Sequence, residues 1–456
     1  MTMKRFLTIA VWTLVVVAAA TAQSPEAIRR IIRENPRFAE PTTAVYQPVE
    51  GKIAPAPRGY KPFYFTITSR HGSRYELRDT TYQNSLDIYN RASQLGILTP
   101  LGEEIRKTLT EATAKQSGMG SELTSLGQHQ LRGVGRRAYQ NFHEVFESGA
   151  IEGKSSARHR CIFSMVAFVD GLKEKCPTMP VDMEGRQSYM PLLRPIADNP
   201  TSNEEVVNYS RHKARNGVVA ERLKEWRNSS DVSAMLSKVT TNPELLVEKC
   251  GAHNHFLFAY NTHHLLLFAE NFEMDTSDLI ARTFTLDELY RFYVSKVGVW
   301  LQWTGGIGNY YNEAFISYMR PLVDDIINQA QAAIDGKNPY VANLRFTHDS
   351  YITPLLTIFG YKNHGLRYGE DLERAATSVP FCKFIHMGSN LQIVLYRNKK
   401  GEVLVRSLVN ERDVFLPIES PTAPFYKWED MVPLIRVNMA KLDASREKVI
   451  KEMNNQ

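Results

Sequence analysis

The first strongly patterned stretch is Pro62-Phe-Tyr-Phe-Thr-Ile-Thr68, whose aromatic and β-branched residues predict a buried strand. It stops abruptly at the polar run Ser69-Arg-His-Gly-Ser-Arg-Tyr75. Residues 80–116 look helical, and another helix begins at Leu123-Thr-Ser-Leu-Gly127 with Thr124 as its N-cap. In 156–172 a basic group, Arg158-His-Arg160, precedes an apolar helix from Phe163 to Leu172. The stretch 177–315 is mostly helical, more polar and aromatic-rich, without a strong motif. An amphipathic helix follows at Arg320–Ile334. Leu344–Thr347 is then a short strand ending at His348-Asp349, with a helix from Ile352 to Phe359 behind it. Leu391–Tyr396 and Val403–Leu408, split by Asn398-Lys-Lys-Gly401, form a hairpin. Strands towards both ends with helices between them predict an α/β core, residues 23–176 and 316–456, interrupted by a helical domain at 177–315.

The N-terminus reads as a separate object. Lys4 and Arg5 precede an apolar run from Phe6 to Ala20, and small residues flank Thr21 just before Gln23. This is the layout of a cleavable secretory signal over residues 1–22. A single-pass anchor is the competing reading, but the run is short for the ~20 residues of a bilayer span. The mature chain is therefore expected to be secreted or periplasmic, with no stable membrane insertion after cleavage. Residues 23–60 are Pro-rich and irregular apart from a short helix near Pro25–Arg33. Composition is that of a globular protein, 43% hydrophobic and 23% charged. A net charge of +6 over 456 residues, with no concentrated basic stripe or nucleic-acid module, points away from nucleic acid. It is compatible with a basic pocket for an acidic substrate. Cys161, Cys176, Cys250 and Cys382 lack zinc-site spacing, and either disulfides or buried thiols fit them.

The chemistry gathers at strand ends. In Arg70-His71-Gly72-Ser73-Arg74, two guanidiniums flank one imidazole. Arginine matches phosphate with planar paired donors, a neutral imidazole can attack phosphorus, and glycine lets the backbone turn beside a bulky anion. A turn with solvated arginines is the bland alternative. His348-Asp349 repeats the placement: the histidine can donate to phosphoryl oxygens, and the carboxyl can protonate a leaving alkoxide. Taken alone, that pair also suits a helix N-cap. Arg160 could supply a third guanidinium, or belong to a solvated helix start.

These blocks, in this order, resemble the histidine phosphatase superfamily in its acid phosphatase and phytase branch. Leu123-Thr-Ser-Leu-Gly127 is similar to that branch's L-T-x-x-G block, and Ser156–Leu172 to its S-x-x-x-R-x-x-x-S…A-F-x-x-G-L block. The His159-Arg-Cys161 version is most like the multiple inositol polyphosphate phosphatases. Ser389–Tyr396 and Leu408–Pro417 resemble their C-terminal strands. The resemblance implies a mixed central sheet with helices on both faces and an inserted, mainly helical cap. It implies His71 as nucleophile, Asp349 as proton donor, and Arg70, Arg74, Arg160 and His348 as phosphate ligands, with no metal and no cofactor. Arg78, Arg158 and His159 are candidates for distal phosphates, with surface solvation the competing reading for each, and Asn390 either faces the pocket or takes a capping or turn role. The sequence departs from the branch at Glu76, where proline is expected after R-H-G-x-R-x. It also carries His348-Asp349-Ser350 where inositol polyphosphate phosphatases show H-A-E.

The expectation is a phosphomonoesterase acting on a small polyphosphorylated molecule such as phytate, through a phosphohistidine. The alternatives are a broad acid phosphatase on sugar phosphates or other small esters, and a non-catalytic anion binder.

Overall fold

The computed structural model describes residues 24–455, apart from 50, 52, 199–203, 305–309, 363, 365–370, 379 and 380. The secretory segment expected at 1–22 lies outside the described residues. Among the described residues eight strands form one sheet: β1 (Lys61–Arg70), β2 (Ile151–Ser155), β3 (Val181–Gly185), β4 (Ala342–Thr347), β5 (Asn390–Arg397), β6 (Val403–Val409), β7 (Arg412–Asp413) and β8 (Phe425–Lys427). Their order is β3-β2-β4-β1-β5-β6-β7, with β8 also on β6. The β3-β2-β4-β1 half is parallel, and β5 to β8 join antiparallel. This is the mixed sheet expected.

Alternation along the strands sorts the core into two layers. Val394 and Tyr396 face a cluster with Phe65, Ile67 and Phe346, covered by the helices Ser125–Phe146 and His159–Lys173. Leu391, Ile393 and Leu395 face the other way, into a larger cluster shared with the helices of the inserted stretch and the C-terminal helix Trp428–Asn454. Helices thus cover both faces.

Two boundaries differ from expectation. β3 lies inside the stretch assigned to the helical domain, yet pairs with β2, so the sheet domain runs at least to Gly185. The helix Pro25–Glu34, assigned to the core domain, buries Ile28, Ile31 and Ile32 in the cluster of the inserted helices. Arg29 pairs with Asp287 there at 2.8 Å, and Arg37 with Glu270 at 2.6 Å. The helical reading of 80–116 resolves into Thr80–Gln94 and Pro100–Gln116. Gly96, at φ 65°, makes the left-handed turn between them, and Thr99 caps the second helix through the amide of Gly102. Cys161, Cys176 and Cys250 are free thiols.

Candidate active site

The three parallel strands β2, β4 and β1 end side by side, with Arg70 in register with Thr347 and Ser155 with Phe346. Open α/β sheets bind ligands at this carboxyl edge. Each strand delivers one polar group: His71 after β1, His348-Asp349 after β4, and Arg160 in the first turn of the helix after β2. The amide of His71 donates to the carbonyl of Thr347 at 3.2 Å, tying the first two together.

Nδ1 of His71 lies 2.8 Å from the carbonyl oxygen of Gly72. A carbonyl only accepts, so Nδ1 carries the proton and Nε2 carries the lone pair. Burial, then Arg70, Arg160, His348 and Arg74, hold the His71 pKa well below the usual imidazole range. These influences favour the neutral, nucleophilic form of the ring. His348 is likewise held neutral, by burial and by Arg160, Arg194 and Arg70. The two rings stand edge to face, centroids 5.6 Å apart.

Four guanidiniums surround them. A cavity of about 200 Å³ is lined by Arg70, His71, Arg74, Leu77, Arg160, Arg194, His348, Asp349 and Ser350, which sets four cationic side chains against one carboxylate. Nη1 of Arg70 is committed to the carbonyls of Thr42 and Ile385, at 2.6 and 3.0 Å. Its Nη2 pairs with Asp349 at 2.8 Å. Arg160 donates to Ser121 Oγ at 2.6 Å. The Nε atoms of Arg70, Arg74 and Arg160 are buried with no hydrogen-bond partner among the described residues. Buried unpaired donors are costly, and an anion with several acceptor oxygens satisfies them. The volume suits one phosphoryl group with part of what carries it, short of the ~300–1,000 Å³ of pockets that enclose a whole ligand.

The loop is held by close backbone contact. A Cβ on Gly72 would meet the Gly127 carbonyl oxygen at 2.4 Å, and one on Gly127 would meet the Ser73 oxygen at 2.1 Å. Both glycines are required by this approach, which explains two of the sequence blocks at once. Ser164 Oγ accepts from the Gly72 amide at 3.0 Å and donates to the Arg160 carbonyl at 2.6 Å, linking the loop to the helix that carries Arg160. Gln130 accepts from the Ser73 amide at 2.8 Å.

All six core residues read from the sequence, Arg70, His71, Arg74, Arg160, His348 and Asp349, line this one cavity. Arg78 and Arg158 are exposed outside that lining. His159 is 73% exposed and lies 3.6 Å from Glu122. Asn390 does not face the cavity: its amide nitrogen donates to the Gly388 carbonyl and its backbone to Asn410, a turn role. Sequence reasoning missed Arg194, which sits between two short helices in a stretch without a motif. It also missed the anchoring carbonyls of Thr42 and Ile385, which no side-chain pattern signals.

Comparison with known proteins places these observations among relatives. The model of the histidine phosphatase superfamily (branch 2) matches residues 65–410. Human multiple inositol polyphosphate phosphatase 1 is 23% identical over 413 residues, 80% of this chain and 77% of that protein. Thiamine-repressible acid phosphatase pho4 of Schizosaccharomyces pombe is 21% identical over 296 residues, 64% of this chain, and the match spans 60% of that protein's length. The crystal structure of Bifidobacterium longum multiple inositol polyphosphate phosphatase with inositol hexasulfate superposes with a TM-score of 0.69 at 18% identity, covering 88% of this chain and 97% of that one.

Proposed function

Because the chain belongs to branch 2 of the histidine phosphatase superfamily, and is a histidine-type phosphatase, we propose that it removes phosphate from inositol polyphosphates such as phytate through a phosphohistidine on His71. The observation that carries this reading is the contact of His71 Nδ1 with the Gly72 carbonyl, which leaves the Nε2 lone pair for phosphorus. Attack by Nε2 forms the N–P bond as the ester P–O bond breaks, and Asp349 gives its proton to the leaving oxygen. Water then attacks the phosphohistidine, its proton returns to the Asp349 carboxylate, and inorganic phosphate departs. Arg70, Arg74, Arg160 and His348 take the phosphoryl oxygens and the charge that develops on them. Phosphate arriving on Arg70 competes with Asp349 for the guanidinium it pairs with, which frees the carboxyl towards the leaving oxygen.

Inositol polyphosphate as substrate is supported by the excess of guanidinium over carboxylate at the cavity, and by relatives that bear that name. A ring bearing further phosphates extends beyond a cavity of this size. Arg78, Arg158 and His159 are proposed to meet those phosphates outside it. The chain is further proposed to be secreted, by cleavage near Ala22 of the apolar N-terminal segment. A broad acid phosphatase is the second reading, favoured by the His348-Asp349-Ser350 block. One experiment separates them: phosphate release from phytate by the mature chain in excess EDTA, beside His71→Ala. Release by the wild type alone is the expected result. Release from an aryl phosphate but not from phytate selects the second reading, and release from neither sinks both.

A further inference from the structure

One helix of the inserted stretch touches the phosphate loop residue by residue. The helix His255–Ala269 runs into the turn Glu270–Phe272. His264, Phe268 and Phe272 are spaced by four, one face of a helical turn. Nε2 of His264 lies 3.1 Å from Glu76 Oε1. The Arg74 guanidinium lies 5.4 Å from the centroid of the Phe268 ring. Tyr75 stacks on Phe272, centroids 5.3 Å apart and planes 13° from parallel. Asn271 accepts from the Ser73 hydroxyl at 2.7 Å and donates to the Thr43 carbonyl at 2.9 Å. Ser73 to Glu76 are four consecutive residues of the loop beyond the nucleophile, and each of them has a partner here.

The contact to Glu76 is ionic and buried. The other ring nitrogen of His264 lies 3.5 Å from Glu40, and Glu40 pairs with Lys296 at 3.0 Å. Glu40 is fully buried and Glu76 nearly so. Burial opposes charge on His264, but Glu40 and Glu76 outweigh it and raise its pKa to about 9. Glu76, pushed up by burial, is pulled down to about 2 by His264 and Arg74. Glu76 stands where the resembled loop has proline, so an ion pair to a helix takes the place of a rigid ring. Within the described residues, Arg74 has one hydrogen bond, from Nη1 to the Tyr75 carbonyl at 2.7 Å. The Phe268 ring lies beneath its guanidinium, and of the carboxylates that act on its charge Glu76 is the strongest, ahead of Asp349.

We propose that His264 is a positioning residue for phosphate binding: clasping Glu76, with Phe268 under the guanidinium, the inserted helix sets Arg74 against the cavity. This rests on the reading of Arg74 as a phosphate ligand. The groups facing His264 are Glu40, Glu76, Lys296 and His263, with Tyr260 stacked on it and Arg74 beyond Glu76. The clasp is therefore complete below pH about 9 and is lost as His264 gives up its proton.

The test measures KM and kcat for an aryl phosphate, and the inhibition constant of inorganic phosphate, in His264→Leu, Glu76→Gln, their double variant and Arg74→Ala, with thermal midpoints alongside. Either single change is expected to weaken phosphate binding about tenfold with a smaller effect on kcat, and the double to be no weaker than the singles. His264→Lys, which keeps a cation, is expected to recover part of the loss. If Arg74→Ala weakens binding while folded His264→Leu does not, this inference fails alone. If Arg74→Ala has no effect, the phosphate-site reading beneath it fails. Should His264→Leu not fold, the wild type decides: affinity for inorganic phosphate must weaken as pH rises through about 9, and constant affinity there overturns the clasp.

Discussion

Nη2 of Arg70 and Oδ2 of Asp349 are 2.8 Å apart, so the last residue of β1 and the second residue beyond β4 form a charge pair across adjacent parallel strands. The guanidinium is almost fully buried and the carboxylate 18% exposed. One acidic side chain thus sits among four arginines, held by the arginine next to the nucleophile. It is paired, oriented and within reach of solvent, as a group that must both give and take a proton requires.

Asp349→Asn keeps the side-chain shape and removes the proton. Hydrolysis of alkyl phosphates is expected to fall by ~10²–10⁴. Aryl phosphates with good leaving groups are expected to lose much less, because their oxygen departs without protonation. Rates for the two classes, measured on one preparation, check this; equal losses would remove Asp349 from the donor role.

Ser121 offers a separation of function from stability. It sits at φ 74°, a left-handed conformation that favours glycine, and its hydroxyl accepts from Arg160 at 2.6 Å. Ser121→Gly relieves the backbone but deletes the acceptor. The expected outcome is an unchanged or slightly higher thermal midpoint together with a several-fold rise in KM, about 1 kcal/mol of lost positioning. A KM that stays at the wild-type value would show that Arg160 is held by its helix alone.

Stability should decline in acid through buried histidines. Burial lowers His263 and His386 to about 4, and His71 and His348 well below their usual range. The unfolded chain binds these protons at about 6.5, so unfolding takes up protons below that pH and the folded state loses stability as pH falls from about 6.5 towards 4. A thermal midpoint that drops over this range is the expected result. Activity should outlast the onset of that drop, since His71 remains neutral and nucleophilic there.

Much of the site was legible because its parts are local. Each chemical group follows its own strand, and β1, β4 and the β5–β6 hairpin carry enough apolar and β-branched residues to be recognised singly. β2 and β3 do not. Ile151-Glu-Gly-Lys-Ser155 buries one isoleucine with a glycine and a serine on its inner face, and Val181-Asp-Met-Glu-Gly185 is a largely exposed edge. Both are strands because parallel neighbours supply their hydrogen bonds, which no local pattern announces. The same absence put the domain boundary before β3.

The sequence by itself determined the chemistry: an imidazole between guanidiniums, a histidine and carboxyl after a second strand, and glycines where backbones must meet. Tertiary structure alone decided how those groups are held. Arg194 reaches the cavity from a stretch with no motif, and Arg70 is anchored on the carbonyls of Thr42 and Ile385. Glu76 meets a histidine 188 residues away. Such contacts are set by packing between elements distant in the chain, and a residue's neighbours in sequence carry no record of them.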